Sequence, residues 1–204
     1  MTLNWWLTYL ATCIVFSLSP GSGAVNTTSL SISHGFRTAL VGVVGLQVGL
    51  AVHVVCVGIG LGALLSHSPR LFAALKLLGA LYLIWLGIKQ WRDSGALTAD
   101  KGRAVSHSAV LRQSVLVNLT NPKSILFLAA LFPQFIVSPD HQALQYTILA
   151  VTTLFVDALV MLFYAGVAKA FARWVSTPYR MTLVNRLFGT LFILIGIVLA
   201  LPWG

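Results

Sequence analysis

Residues 17–24 read Ser-Leu-Ser-Pro-Gly-Ser-Gly-Ala, and residues 118–124 read Asn-Leu-Thr-Asn-Pro-Lys-Ser. Each motif lies inside an apolar stretch of membrane-spanning length, and Pro20 and Pro122 fall half a chain apart. Proline removes a backbone donor and clashes with the preceding helical turn, so each motif predicts a broken helix. A broken backbone at membrane depth is tolerated only where it faces protein or a polar cavity. The pattern is typical of a transporter built from two halves.

The composition indicates an integral membrane protein with an all-α fold. Of the 204 residues, 58% are hydrophobic and 8% are charged, and the mean hydropathy is +0.90. A soluble globule would need more charged residues to cover its surface. About 20 apolar residues span the hydrocarbon core, so we predict six transmembrane helices. They fall at about 3–18, 39–65, 71–91, 110–137, 143–167 and 183–202.

The net charge of +9 comes from basic residues that cluster between the spans without interleaved aromatic residues. This distribution argues against a nucleic-acid partner. It fits the positive-inside bias of cytoplasmic loops, and it predicts that both termini are periplasmic. The loops after spans one, three and five would carry ten basic residues, against two after span two: Arg37, Lys89, Arg92, Lys101, Arg103, Arg112, Lys169, Arg173, Arg180 and Arg186, against Arg70 and Lys76.

The polar stretch 93–108 divides the chain into halves, at about 1–92 and 109–204, within one transmembrane domain over 1–204. Three spans lie on each side, so a duplicated half would insert upside down and give two inverted three-helix repeats. The substrate is then expected near mid-bilayer, between the halves. Closely spaced glycines in span two, including Gly45 and Gly49, allow another helix to approach and permit a homodimer.

The first break is a candidate carboxylate site. Residues 3–17 are too few to cross the bilayer, so the helix must resume after Pro20. The amides at the start of the resumed helix would carry partial positive charge and suit a carboxylate. A simple proline kink is the alternative. The substrate-binding candidates here are Ser19, Pro20, Gly21, Ser22, Gly23 and Asn26.

The second break puts a lysine at membrane depth. A span that began at Lys123 would be too short, so it must begin near Val110. An intramembrane lysine is costly unless it meets an anion or a polar cavity. Lys123 is therefore a candidate partner for a substrate carboxylate, a relay with a changing charge state, or a structural lysine bound to freed carbonyls. The substrate-binding candidates here are Asn118, Asn121, Pro122 and Lys123.

Asp157 is the only acidic residue within an apolar stretch. It is a functional candidate by default: it could bind an ammonium group, carry a coupling proton or neutralise Lys123. His53 titrates nearest neutral pH among the span residues and is a second proton-coupling candidate, with a neutral core histidine as the alternative. Gln47 is a further candidate for the cavity lining.

At these residues the sequence resembles the lysine exporter superfamily, in its branch of homoserine, homoserine lactone and threonine exporters. The resemblance covers nearly the whole chain, and the motif at 118–124 is its most specific part. Many relatives have proline where this chain has Ser22. The resemblance implies export of small neutral amino acids across a bacterial inner membrane, in exchange for protons. Further motifs are His-Gly-Phe-Arg at 34–37, Tyr-Leu-Ile-Trp-Leu-Gly at 82–87 and Phe-Leu-Ala-Ala-Leu-Phe-Pro-Gln-Phe at 127–135.

Three other classes of membrane protein remain open. A purely structural membrane subunit is one of them, and an intramembrane Lys123 is the feature that it explains worst. A thiol or redox protein would use Cys13 and Cys56, although these lack Cys-x-x-Cys spacing. A divalent-cation exporter would use His53 and Asp157, although few ligands lie at membrane depth. The sequence predicts no enzyme activity, no cofactor and no resident metal. The expected partners are an amino-acid substrate, protons and the lipid bilayer.

Overall fold

The computed structural model describes residues 1–67, 69–92, 106–136, 141–174 and 178–201. Over these ranges the chain is helical and has no strand, which confirms the all-α class. Most of the predicted loop 93–108 lies outside the described residues. The helices of the described part are α1 (Leu3–Leu18), α2 (Ser22–His34), α3 (Phe36–His67), α4 (Pro69–Arg92), α5 (His107–Leu119), α6 (Pro122–Phe135), α7 (Gln142–Trp174) and α8 (Pro178–Ala200).

Both predicted breaks are present. The first separates α1 from α2, whose axes are bent by 52°, and the second separates α5 from α6, with a bend of 56°. Pro122 occupies the start of α6, where the amide it lacks would have no helical partner in any case. The second bent pair begins at His107, close to the start near Val110 that the sequence predicts.

Three described helices are long and apolar enough to cross a membrane on their own, and they cover Phe36–Gly60, Gln142–Arg173 and Tyr179–Ala200. Each bent pair can supply one more span, which gives five. The remaining predicted span, at about 71–91, corresponds to α4, part of whose side chains lie outside the described residues. Six spans and the inverted repeat therefore stay predictions.

Glycines allow close helix packing inside the chain. A Cβ atom on Gly45 would lie 2.5 Å from the carbonyl oxygen of Leu111, and one on Gly49 would lie 2.8 Å from the Cβ of Asn118. These contacts bring α3 against α5, so Gly45 and Gly49 are used within the protomer. The homodimer stays a prediction.

Aromatic packing holds the two bent pairs together. Phe16 of α1 stacks on Phe127 of α6 with ring centroids 3.6 Å apart. Tyr9 of α1 is fully buried and contacts the rings of Phe132 and Phe135. Its hydroxyl also donates to the carbonyl oxygen of Leu149 in α7. This apolar cluster fixes the end of α1 beside the start of α6, and so it brings the two breaks next to each other.

Candidate functional site

The two breaks meet at a small polar cavity of about 30 Å³, which we call the inner cavity. This volume has room for a water molecule or two. Side chains from both bent pairs and from α3 and α7 line it. Seven of the sequence-predicted site residues are among them: Ser19, Gly21, Gly23, Asn118, Asn121, Lys123 and Asp157.

Lys123 of the second break bonds to backbone of the first. Its Nζ donates to the carbonyl oxygens of Phe16, at 3.2 Å, and of Ser19, at 2.9 Å. The same nitrogen lies 4.8 Å from the ring centroid of Phe16 and 5.6 Å from that of Phe192. The C-terminal end of a helix carries partial negative charge, so an ammonium group is stabilised there. Lys123 therefore connects the two breaks directly.

A second donor reaches the end of α1 from α7. The hydroxyl of Tyr164 donates to the carbonyl oxygen of Leu18 at 2.6 Å, and the Tyr164 side chain is buried. A helix leaves its last carbonyls without intrahelical partners, and inside a membrane water cannot satisfy them. Lys123 and Tyr164 together satisfy three of these carbonyls.

The start of α2 lacks a side-chain cap. Gly21 is the N-cap residue, and no side chain accepts a hydrogen bond from the first amides of the helix. A Cβ atom on Gly21 would lie 3.6 Å from Nζ of Lys123. Partial positive charge at this helix start and the ammonium group of Lys123 therefore converge on one point. Such a point suits a carboxylate.

Asp157 of α7 also lines the inner cavity. Its side chain is 9% exposed, and Oδ2 accepts a hydrogen bond from Nε2 of Gln47 at 2.7 Å. Ser17 is a further neighbour of the carboxylate. The cavity thus has an acidic group and a basic group within its lining, which is the pairing that a zwitterion requires.

Three buried side-chain oxygen atoms at this site have no hydrogen-bond partner among the described residues. They are Oγ of Ser19, Oδ1 of Asn118 and Oε1 of Gln47. Asn118 is fixed by its other end, because Nδ2 donates to the carbonyl oxygen of Leu46 at 2.6 Å. Buried acceptors without partners are costly, so they mark a place where a donor can bind.

Other predicted residues lie elsewhere. Asn26 donates from Nδ2 to Oγ of Ser114 at 3.0 Å and so joins α2 to α5. His53 lies outside the lining of the inner cavity, and its Nε2 is 3.3 Å from the carbonyl oxygen of Leu119, at the end of α5. Pro20 and Ser22 line a second, larger cavity. Pro122 is the first residue of α6, and the structure describes its backbone but not the surroundings of its side chain.

The aromatic lining around Lys123 is not predicted from the sequence, and neither is the hydrogen bond from Tyr164 to the end of α1. Phe16 and Phe192 are two phenylalanines among eleven, and Tyr164 lies in a long apolar span. No local signal separates these residues from ordinary core residues. Only the folded arrangement brings them to the broken end of α1.

The alternative functions gain no support from the described residues. Cys13 is buried beside Thr153, whereas Cys56 is exposed, and neither is in a disulfide. Within the described part of the chain, no group of three or more His, Cys, Asp or Glu residues could hold a metal ion. Among the residues that the structure describes, neither a cysteine pair nor a metal-ligand cluster favours the redox or the cation-export hypothesis.

Comparison with known proteins places this arrangement in context. Residues 14–202 match the family described as LysE type translocator. The homoserine/homoserine lactone efflux protein of Salmonella typhimurium is 51% identical, over 98% of both chains. An uncharacterized membrane protein of Vibrio cholerae is 49% identical over the same shares. The leucine efflux protein of Enterobacter sp. is 34% identical, over 94% of this chain and 92% of its own length. No solved structure matches the chain.

An apolar helical bundle with two broken helices, matched to these relatives over nearly its whole length, is a membrane transporter. The resemblance that the motifs at 17–24 and 118–124 indicate is confirmed. The chain belongs to the LysE type translocator family.

Proposed function

We propose that this protein exports small neutral amino acids across the bacterial inner membrane, with homoserine and homoserine lactone as principal substrates. Threonine and serine, which share a hydroxyl group, are further candidates. The names of the relatives at 51% and 34% identity support amino-acid efflux. The observation that carries the mechanism is the contact of Lys123 with the broken end of α1.

A zwitterionic substrate would bind with its two charges at opposite sides of the inner cavity. The carboxylate would lie at the uncapped start of α2, beside Lys123. The ammonium group would meet Asp157 and the unpartnered oxygens of Ser19 and Asn118. Asn121 would hold Lys123 through its hydrogen bond to the Lys123 amide, and Gln47 would orient Asp157 through its hydrogen bond to the carboxylate.

Transport requires this cavity to open, because a volume of about 30 Å³ is too small for an amino acid. We propose that the two halves, about 1–92 and 109–204, are inverted repeats that rock around the meeting point of the breaks. In such a repeat α1 corresponds to α5, and α3 corresponds to α7. The contact between α3 and α5 then has a counterpart in the contact between α7 and α1, and both contacts are present. In this scheme all six spans are used and both termini are periplasmic.

Protons flowing inward would drive the substrate out. Asp157 is the first candidate to carry them, because it lies in the inner cavity. His53 is the second, although it lies at the end of α5. A pH gradient imposed across proteoliposomes tests this step: acid on the receiving side should accelerate homoserine release. A rate that ignores the gradient would reject proton antiport and leave export intact.

The site itself is tested by counterflow of labelled homoserine in proteoliposomes. Lys123→Ala and Asp157→Asn should each reduce counterflow by at least about a hundredfold, because each leaves one substrate charge without a partner. Lys169→Ala removes an exposed lysine from α7 and serves as the matched control. Size-exclusion profiles check that the variants are folded. Full activity of both variants would remove these residues from the site.

A further inference from the structure

A second cavity, which we call the outer chamber, adjoins the inner cavity. Its volume is about 360 Å³. Gly21, Asn121 and Lys123 line both spaces, so the two share a wall made from the two breaks. The far side of the outer chamber is formed by α4, through Lys89 and Gln90. No motif or comparison assigns a role to these two residues.

The volumes decide which of the two spaces can hold a substrate in this conformation. Ligand pockets in proteins usually measure about 300–1,000 Å³, so the outer chamber is large enough for an amino acid. The inner cavity is about a tenth of that size. A substrate would therefore reach the outer chamber first and pass inward only when the breaks separate.

The charge of the outer chamber favours an anion. Its described lining contains Lys89 and Lys123 and no acidic residue. The uncapped start of α2 contributes further positive potential through Gly21 and Ser22. Lys89 is exposed, and its Nζ lies 5.2 Å from the ring centroid of Trp85, a contact that directs the side chain without neutralising it.

The position of Lys89 fits an access site on the cytoplasmic side. It lies in the last turn of α4, shortly before residues 93–105, which contain Lys101 and Arg103 and are predicted to be cytoplasmic. A lysine at the end of a span can extend its ammonium group towards the aqueous boundary. An exporter collects its substrate from this side.

We propose that the outer chamber is the access site of the exporter, and that Lys89 binds the substrate carboxylate there before it passes to Lys123. This inference rests on the proposed export of amino acids and adds a second binding position with its own residue. It implies that Lys89 discriminates between substrates with and without a carboxylate. Homoserine has one, and homoserine lactone has none.

The test compares Lys89→Gln with wild type for both substrates in proteoliposome transport. The variant should raise KM for homoserine about fivefold with kcat nearly unchanged, because it loses one charge interaction on the access path. Its KM for the lactone should stay within about twofold. Lys169→Gln, which removes an exposed charge away from the outer chamber, is the control and should change neither value.

The outcomes separate this inference from the proposed function. If wild type transports neither substrate saturably, the proposed function fails. If wild type transports both and Lys89→Gln leaves KM for homoserine unchanged, or changes both substrates equally, Lys89 has no carboxylate-binding role and the inference is overturned.

A labelling experiment locates the substrate independently of turnover. Thr120 is exposed and lines the outer chamber, and within the described part of the chain its hydroxyl bonds only to the carbonyl of Leu116 in its own helix. Thr120→Cys in a Cys13→Ser, Cys56→Ser background should react with a membrane-impermeant maleimide. Homoserine should slow this reaction, and Lys89→Gln should remove most of the protection. Labelling that homoserine does not slow would contradict occupation of the outer chamber.

Discussion

The two helix breaks have similar bends, 52° and 56°, but they satisfy their backbone groups in opposite ways. At the second break, neighbouring residues of the same segment supply most of the hydrogen-bond partners. Oδ1 of Asn121 accepts from the amide of Lys123, and the amides of Thr120 and Asn121 donate to carbonyls of α5. At the first break the carbonyls depend on Lys123 and Tyr164 from the other half, and the start of α2 has no side-chain cap.

This difference indicates that the two breaks have different roles. A break that is capped by its own residues keeps its geometry when its surroundings move. The second break can therefore hold Lys123 in a fixed position. The first break has polar groups that are satisfied only from outside, and a ligand can replace those partners. We therefore expect substrate to bind at the uncapped start of α2, and changes at that helix start to affect transport more than stability.

The largest effect is expected from closing the first break with a tethered carboxylate, in Gly21→Asp. The Gly21 backbone is extended, and a Cβ atom would make ordinary contact with Lys123, 3.5 Å from Cδ, so the side chain fits. It would cap α2 and occupy the proposed carboxylate position at high effective concentration. Homoserine counterflow should fall on the order of a hundredfold. The free energy of unfolding should rise by only about 0.3 kcal/mol, because glycine is itself an acceptable N-cap.

Gly21→Ala controls for the added Cβ atom and should retain transport within about threefold, because it adds no cap and no charge. Counterflow and an unfolding titration on the same preparations separate the two effects. If Gly21→Asp transported at the rate of wild type, the start of α2 would not be the carboxylate site, and the contrast between the breaks would lose its functional meaning.

The breaks themselves were predictable from sequence because proline acts locally. Pro20 and Pro122 each lie in an apolar stretch whose remaining length cannot cross a bilayer, so helix on both sides of each proline follows from chain geometry. Lys123 and Asp157 were candidates for a similar reason, since a charge in such a stretch is expensive wherever the helix packs.

The partners of these residues could not be predicted in the same way. The bond from Lys123 to the carbonyl of Ser19 joins residues far apart in sequence, and it depends on how α1 packs against α6. Gln47 contacts Asp157, and His53 contacts Leu119, only because α3 packs against both α7 and α5. Periodicity in an apolar helix carries little information about which face meets which neighbour.

The next largest effect is expected from Tyr164→Phe, which removes the hydroxyl that α7 donates to the first break. The change leaves the carbonyl of Leu18 without its 2.6 Å hydrogen bond in a buried position. The free energy of unfolding should fall by about 1–3 kcal/mol. Tyr179→Phe, at a side chain that is 72% exposed, should change it by less than about 0.5 kcal/mol. Equal stability of the two variants would show that another group satisfies this carbonyl.

A smaller loss is expected at the second break from Asn121→Ala, which removes the side-chain cap of α6. N-cap removal typically costs about 1 kcal/mol, so denaturant or SDS titration should detect a modest destabilisation. Asn121→Ser supplies another capping oxygen and should recover most of the difference. Should the serine variant be as unstable as the alanine variant, the contribution of Asn121 would come from its contact with Ser124 rather than from capping.

The smallest effect is expected from His53→Gln, at the end of α5 beside the second break. Nε2 of His53 is 3.3 Å from the carbonyl of Leu119, and a glutamine amide can donate to the same oxygen. Because the second break is otherwise satisfied within its own chain segment, the free energy of unfolding should change by less than about 0.5 kcal/mol. The acceleration of homoserine release by a pH gradient should also persist, because Asp157 and not His53 lines the inner cavity. Loss of that acceleration in His53→Gln, with Asp157→Asn still responding, would instead assign the coupling proton to His53 and make the second break the site of proton transfer.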